Sequence, residues 1–91
     1  MRKIRINTMP ERFPLTHLPP GQKGVIAAVE GSDGLRLRLA ALGFRVGRAI
    51  LMMRRGKLSG PLHVRLGTTD VAIRLAEAVH VTVRAPAAAT P

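Results

Sequence analysis

The 91-residue chain contains no cysteine, no tryptophan and no tyrosine, and it has only two phenylalanines. The absence of cysteine excludes disulfides, cysteine-ligated zinc, iron–sulfur clusters and thiol catalysis. The shortage of aromatic side chains means that leucine, valine, isoleucine and alanine must build the core. A chain of this length can bury such a core without covalent staples, which become necessary below about 70–80 residues.

Acidic residues are also scarce. Fifteen lysines and arginines stand against five aspartates and glutamates, so the formal net charge is +10. Paired carboxylates at helical spacing, a Ser–His–Asp arrangement and a phosphate-binding Gly-Lys-Ser/Thr loop are all missing from the sequence, which argues against an enzyme. The excess positive charge favours a polyanion or an acidic protein surface as partner. Twelve of the cations are arginines, which suit bidentate contacts to carboxylate or phosphate.

Long hydrophobic runs are absent as well. The longest apolar runs have about five residues, for example 49–53, whereas a membrane-spanning helix needs roughly 20. The basic N-terminus is not followed by the apolar stretch of a signal peptide. We therefore expect a soluble cytoplasmic protein that does not insert directly into a membrane.

The length predicts one domain. We expect a basic N-terminal arm over residues 1–13, in which Pro10 and Pro14 interrupt regular structure, and a flexible C-terminal tail over residues 85–91. The folded domain is predicted to span residues 14–84.

Short alternating or apolar runs separated by glycine and proline predict a mainly β fold. The predicted elements are strands over 24–30, 49–55, 62–66, 71–73 and 79–84, a helix over 35–42 and a single helical turn over 74–78. Five short strands with one short helix after the first strand suggest a small barrel, because closure removes exposed sheet edges.

The segment 35–42 is ambiguous by pattern. Its leucines and arginines alternate as in a strand, yet Leu35, Leu39 and Leu42 also fall on one helical face. Ser32 or Asp33 offers an N-cap before it, and a glycine at the C′ position follows it. These signals favour a two-turn helix.

The same patterns predict which side chains are buried. Phe44 is expected in the core, one of the two adjacent methionines 52 and 53 should face inward and the other outward, and the valines of 79–84 should face inward. The further core residues predicted are Leu39, Leu42, Ile50, Leu62, Val64, Leu66, Val81 and Val83.

The ordered set of motifs from Leu15 to Val83 resembles the ferrous iron transport protein A (FeoA) family. The residues that carry the resemblance include Leu15-Thr16-His17-Leu18, Pro20-Gly21-Gln22, Leu42-Gly43-Phe44, Val46-Gly47, Gly60-Pro61-Leu62 and Val71-Ala72-Ile73-Arg74. Each motif is weak alone, but together they cover about three quarters of the chain in the family's order.

The resemblance implies a five-stranded SH3-like barrel without enzymatic activity. It also implies a small cytoplasmic accessory of FeoB, the membrane ferrous iron transporter with a cytosolic GTP-binding domain. Related barrels occur at the C-terminus of metal-dependent repressors of the diphtheria-toxin-repressor family, and this chain is too short to carry their other regions. The loop before Gly60 departs from the family, because glycine and lysine replace a proline-containing stretch. We expect this loop to be more flexible and more basic than usual.

The histidines are the candidates for the transition metal binding that the family suggests. His17, His63 and His80 are far apart in sequence, and none has a partner at metal-ligand spacing. Alternation places His63 and His80 on outward strand faces, where they could approach each other only if their strands were neighbours. Since metal sites usually need three or four ligands, we predict no metal site and no cofactor.

A barrel without catalytic residues must act by contact. Positive charge, loop flexibility and an exposed apolar group coincide in the segment 54–61, and the helix offers a second basic face. The predicted partner-binding residues are Arg54, Arg55, Lys57, Leu58, Arg36 and Arg38. The alternative function is a basic nucleic-acid-binding barrel or a regulatory SH3-like module, although the lack of aromatic stacking platforms argues against nucleic acid. We expect a monomer or a weak homo-oligomer.

Overall fold

A computed structural model of the protein describes residues 10–86. Within them, six strands form one antiparallel sheet in the order β1-β6-β2-β3-β4-β5. The strands are β1 (Arg12–Pro14), β2 (Lys23–Val29), β3 (Ala49–Arg55), β4 (Leu62–Leu66), β5 (Thr69–Ile73) and β6 (Val81–Arg84). A 3₁₀ helix (Leu15–His17) follows β1, helix α1 (Asp33–Leu42) follows β2, and the short helix α2 (Leu75–Ala78) precedes β6.

Local sequence signals determine helix α1. The Ser32 hydroxyl accepts a hydrogen bond from the Leu35 backbone N–H at 3.2 Å, and Gly43 ends the helix in the left-handed conformation with φ 107°. Both are the caps that the sequence predicts. Leu39 is fully buried, but Leu42 is 37% exposed, so its predicted burial is wrong. Leu39 is the buried residue of α1, and half-buried Leu35, one turn earlier, packs against the same core.

Strand β1 lies partly within the segment that we predicted to be an arm without regular structure. Residues Arg12–Pro14 pair with β6, and Phe13 is 3% exposed. Pro14 is compatible with a strand here because β1 is an edge of the sheet, where a missing N–H does not break a second ladder. Residues 1–9 of the predicted arm and 87–91 of the predicted tail lie outside the described residues.

The core is aliphatic apart from two phenylalanines, as the composition predicts. The predictions for Leu39, Ile50, Val64, Val81 and Val83 are confirmed. The buried hydrophobic side chains are Phe13, Leu15, Leu18, Ile26, Leu39, Phe44, Ile50, Met52, Leu62, Val64, Leu66, Ile73, Ala78, Val81 and Val83. The inward orientation predicted for Val79 is wrong, because this residue caps the C-terminus of α2 instead of entering β6, and it is 52% exposed.

The mainly β class and the two helices are confirmed, and the structure adds β1 as a sixth strand. Helix α2 is the predicted single turn, and a salt bridge from Arg38 to Glu77 connects it to α1. Of the helices in residues 10–86, none has the length and apolar character needed to cross a bilayer.

Candidate functional site

A β-bulge in β3 decides which arginine reaches the outer surface of the sheet. Met52 pairs with Val64, but the next pairs are Arg54 with His63 and Arg55 with Leu62, so Met53 is the extra residue. The bulge places Arg54 beside half-buried His63 and places Arg55 opposite a buried leucine. Met52 is buried and Met53 is 38% exposed, which confirms the prediction that one faces inward and the other outward.

Arg55 takes part in holding the fold together. Its guanidinium donates hydrogen bonds to the backbone carbonyl oxygen of Thr16 and, at 3.3 Å, to that of Leu18. These bonds connect the end of β3 to the 3₁₀ helix and the residue that ends it. Arg54 and Lys57 have no side-chain hydrogen bond or salt bridge within residues 10–86, so both are available for an external contact.

We expect Arg55→Ala to lower the free energy of unfolding by about 1.5 kcal/mol, because hydrogen bonds that involve a charged group contribute about 1.5–3 kcal/mol. Arg54→Ala is the matched control, and a surface substitution of this kind changes stability by less than about 0.5 kcal/mol. Urea unfolding of both variants measures the difference. Equal stabilities of the two variants would show that the Arg55 contacts do not stabilise the fold.

The loop between β3 and β4, residues 56–61, is closed by its own backbone. The Gly56 N–H donates to the Pro61 carbonyl at 2.8 Å, and the Gly60 N–H donates to the Lys57 carbonyl at 2.9 Å. A Cβ atom on Gly56 would lie 2.8 Å from the backbone of both Gly60 and Pro61. The sequence suggested that these glycines let the loop change shape, whereas in the structure they allow two backbone segments to pack closely.

Leu58 stands at the tip of this closed loop. It is fully exposed, and its φ of 55° makes it the one non-glycine residue with positive φ among the described residues. A leucine in this region costs roughly 1–2 kcal/mol, and such strained backbone is concentrated at functional sites. We call Arg54, Lys57 and Leu58 the basic tip. It combines one exposed apolar side chain with two cations, and it is the candidate contact site.

The outer face of the sheet continues from the basic tip. It is formed by the outward side chains of β2 to β5, which include Lys23, Leu51, Met53, Arg54, His63, Arg65, Asp70 and Ala72. Lys23 and Arg65 are not among the partner-binding residues that the sequence predicts. The alternation of each strand indicates that they point outward, but only the register between strands shows that they share one surface with Arg54.

Arg65 and Asp70 form an ion pair across the hairpin of β4 and β5, with Arg65 Nε 2.7 Å from Asp70 Oδ1. The hydrogen bond from Arg65 lowers the pKa of Asp70, and the same bond raises the pKa of Arg65. Any stabilisation from this pair is therefore fully present at pH values above the ordinary pKa of aspartate. It is lost as the pH falls through the lowered pKa of Asp70 in the folded protein. Both groups are open to solvent, so the effect on stability is small.

The helix face that carries Arg36 and Arg38 is less available than the basic tip. Arg36 forms a salt bridge with Asp33 on the same helix, and Arg38 forms one with Glu77. Glu77 is largely covered, with 12% of its side chain exposed. A partner that engaged Arg38 would have to replace this existing carboxylate.

The three histidines lie in different parts of the fold. His17 is in the 3₁₀ helix, His63 is in β4, and His80 precedes β6 beside Gly31. Strands β4 and β6 are not neighbours in the sheet, so the condition for an approach of His63 and His80 is not met. Across the part of the chain that the structure describes, no three His, Asp or Glu side chains are placed to hold a metal ion.

We expect the isolated protein to bind no tight equivalent of ferrous iron, because its histidines lack partner ligands. Anaerobic calorimetric titration of the purified protein with ferrous iron tests this expectation. One tight equivalent that disappears in His63→Ala or His80→Ala would contradict it.

Comparison with known proteins identifies the family. The profile of the FeoA domain matches residues 13–85. The chain belongs to the FeoA domain family. This family is associated with ferrous iron transport and is not known to be enzymatic. A search of the curated proteins gives no match.

Solved structures support the assignment. The chain is 29% identical to an iron uptake regulatory protein (FeoA), with a TM-score of 0.75, over 80% of this chain and 96% of the other. It is 33% identical to Stenotrophomonas maltophilia FeoA, a prokaryotic SH3 domain protein solved with zinc, with a TM-score of 0.68 over 78% of this chain and 88% of the other. A manganese-dependent transcriptional repressor is 16% identical with a TM-score of 0.78 over 86% of this chain and 44% of the repressor, and it shows the fold alone. The fold of this FeoA domain is therefore SH3-like, as predicted.

Proposed function

We propose that this FeoA protein is a cytoplasmic accessory of bacterial ferrous iron transport that acts by contact with the cytosolic GTP-binding domain region of the membrane transporter FeoB. The basic tip is the observation that supports this proposal. It combines a fully exposed leucine with two cations that have no internal partner among residues 10–86. A protein with such a tip acts by binding, and its partner surface is acidic.

The three side chains of the basic tip contribute to the free energy of binding in different ways. Leu58 offers apolar area that an apolar pocket of the partner would remove from water. Arg54 offers a planar fork for a carboxylate, and arginine is enriched among interface residues that dominate affinity. Lys57 at the rim mainly steers association, so its effect decreases with added salt. Because the loop is already closed, little ordering of its backbone remains to oppose binding.

We expect the combined change Arg54→Ala, Lys57→Ala and Leu58→Ala to weaken binding to the purified cytosolic domain of the cognate transporter by tenfold or more, which corresponds to about 1.4 kcal/mol. Calorimetric titration measures the affinity. The thermal midpoint should stay nearly unchanged, because Arg55 and the two loop glycines remain in place. Arg36→Ala is the control, and its affinity should match that of the wild type.

Two outcomes would contradict the proposal in different ways. If the wild-type protein does not bind the cytosolic domain at all, the proposed partner is wrong. If the wild type binds and the folded triple variant binds equally well, the contact surface is elsewhere, and the helix face with Arg36 and Arg38 is the next candidate.

Burial of the aromatic residues argues against the alternative of a nucleic-acid-binding barrel. Small barrels that bind single strands stack bases on exposed aromatic side chains. The two aromatic residues of the whole sequence, Phe13 and Phe44, are 3% and 1% exposed. Positive charge alone would give weak and salt-sensitive binding.

A further inference from the structure

Two shallow hollows lie on the outer face of the sheet. The first has a volume of about 330 Å³, and Lys23, Leu51 and Arg65 are among its lining residues. The second has a volume of about 480 Å³, and Arg54 and Ala72 are among its lining residues. Each hollow thus combines apolar surface with at least one cation.

The pairing of the strands makes the two hollows neighbours. His63 and Arg65 are successive outward positions of β4, and one lines each hollow. Two residues along a strand span about 6.6 Å. The Arg65–Asp70 ion pair lies at the boundary, since Arg65 lines the first hollow and Asp70 lines the second.

An extended peptide lying along β4 has the same repeat as the strand, so its side chains two residues apart point to the same side about 6.6 Å from each other. Glutamate side chains at positions i and i+2 could therefore enter the two hollows together. Their methylene groups would cover Leu51 and Met53, and their carboxylates would approach Lys23 and Arg54, neither of which has a side-chain partner within residues 10–86. Methionine adapts its shape to such a contact.

We propose that the outer face of the sheet binds an extended acidic segment of a partner protein, with acidic side chains two residues apart in the two hollows. Charge complementarity carries the choice of occupant, because the face has three cations and a histidine against one acid. The inference rests on the proposed function only for the identity of the protein that supplies the segment. Of the side chains that would contact the segment, Arg54 is the one that also belongs to the basic tip.

Asp70 acts as an internal competitor in this arrangement. Its Oδ1 lies 2.7 Å from Arg65 Nε. An incoming carboxylate must therefore share Arg65 with Asp70 or displace Asp70 from it. Removing the negative charge of Asp70 frees Arg65 for the segment and removes a like charge at the boundary of the hollows. Asp70→Asn should therefore strengthen binding several-fold.

A synthetic peptide of four Thr-Glu repeats with blocked ends is the probe, and four Thr-Gln repeats are its uncharged control. Amide chemical shifts of the isotopically labelled full chain report the binding site and the affinity. We expect the acidic peptide to shift the amides of β3, β4 and β5 around the hollows and to leave those of α1 unchanged. The Thr-Gln peptide should bind at least tenfold more weakly.

Variants outside the loop separate this face from the basic tip. Lys23→Glu in the first hollow and Ala72→Glu in the second should each weaken binding of the acidic peptide fivefold or more. Both positions are exposed, and the amide spectrum of each variant shows directly whether it is folded. Arg36→Glu on α1 makes the same change in charge as Lys23→Glu and should have little effect.

Several results would overturn the inference. They are equal binding of the two peptides, amide shifts located on α1, an unchanged affinity in both hollow variants, or tighter binding of a single-stranded oligothymidine than of the acidic peptide on the same face. These results do not involve the transporter. If the protein binds the cytosolic domain but not the peptide, the proposed peptide site on the outer face is wrong and the proposed function stands. If it binds the peptide but not the cytosolic domain, the peptide site stands and the proposed function is wrong.

Discussion

Phe13→Ala is expected to lower the free energy of unfolding by about 3–5 kcal/mol, the range for removal of a buried phenylalanine side chain. Phe13 is 3% exposed and lies in β1, opposite Val83 of β6. The substitution removes the aromatic ring from the core and leaves a cavity where the ring was packed. Domains of this size are stable by about 5–15 kcal/mol, so the variant approaches the limit of folding.

Chemical denaturation measured by circular dichroism gives the change. Phe13→Leu is the control, because it keeps most of the apolar volume and should cost clearly less. Arg12→Ala, at the neighbouring exposed position, should cost less than about 0.5 kcal/mol. A Phe13→Ala protein as stable as the wild type would show that β1 is not part of the cooperative unit.

Gly56→Ala is expected to open the loop between β3 and β4 and to destabilise the protein by about 2–3 kcal/mol. The added Cβ would lie 2.8 Å from the backbone of Gly60 and Pro61, and backbone atoms cannot rotate away as a side chain can. Relief requires loss of the two hydrogen bonds that close the loop, each worth about 0.5–1.5 kcal/mol, and part of the packing where β3 and β4 leave the sheet.

Gly34→Ala provides the matched control with the opposite sign. Gly34 lies in the first turn of α1 with no atom within 4 Å of its Cβ position, so the same substitution should stabilise the protein by about 0.5–1 kcal/mol. Thermal unfolding of the two variants compares them directly, and amide chemical shifts show whether the effect of Gly56→Ala is confined to residues 54–61. If Gly56→Ala is neutral, the glycines serve flexibility, as the sequence first suggested.

The sequence predicted the elements whose signals are local. Ser32 and Gly43 are adjacent to the helix that they cap, so they decided correctly between a strand and a helix over 35–42. Alternation within β4 likewise predicted that Leu62, Val64 and Leu66 are buried. The order of motifs predicted the FeoA family, which the match over residues 13–85 confirms, and the SH3-like fold, which the similarity to Stenotrophomonas maltophilia FeoA confirms.

Strand β1 was missed because its signal is not local. Two prolines near Arg12 and Phe13 argue against regular structure when only neighbours in the chain are considered. The pairing partner of Phe13 is Val83, 70 positions later. Its burial is therefore a property of the assembled sheet.

The sequence by itself determined the class of the fold, the helix with its caps, most of the core and the excess of positive charge. Alternation and capping act over a few residues, and net charge follows from composition alone. The tertiary structure decided which arginine has which role. The bulge at Met53 turns Arg54 outward, the 3₁₀ helix engages Arg55, and Glu77 engages Arg38. Side chains of one type at adjacent positions look alike in a sequence, and only strand register and long-range contacts distinguish them.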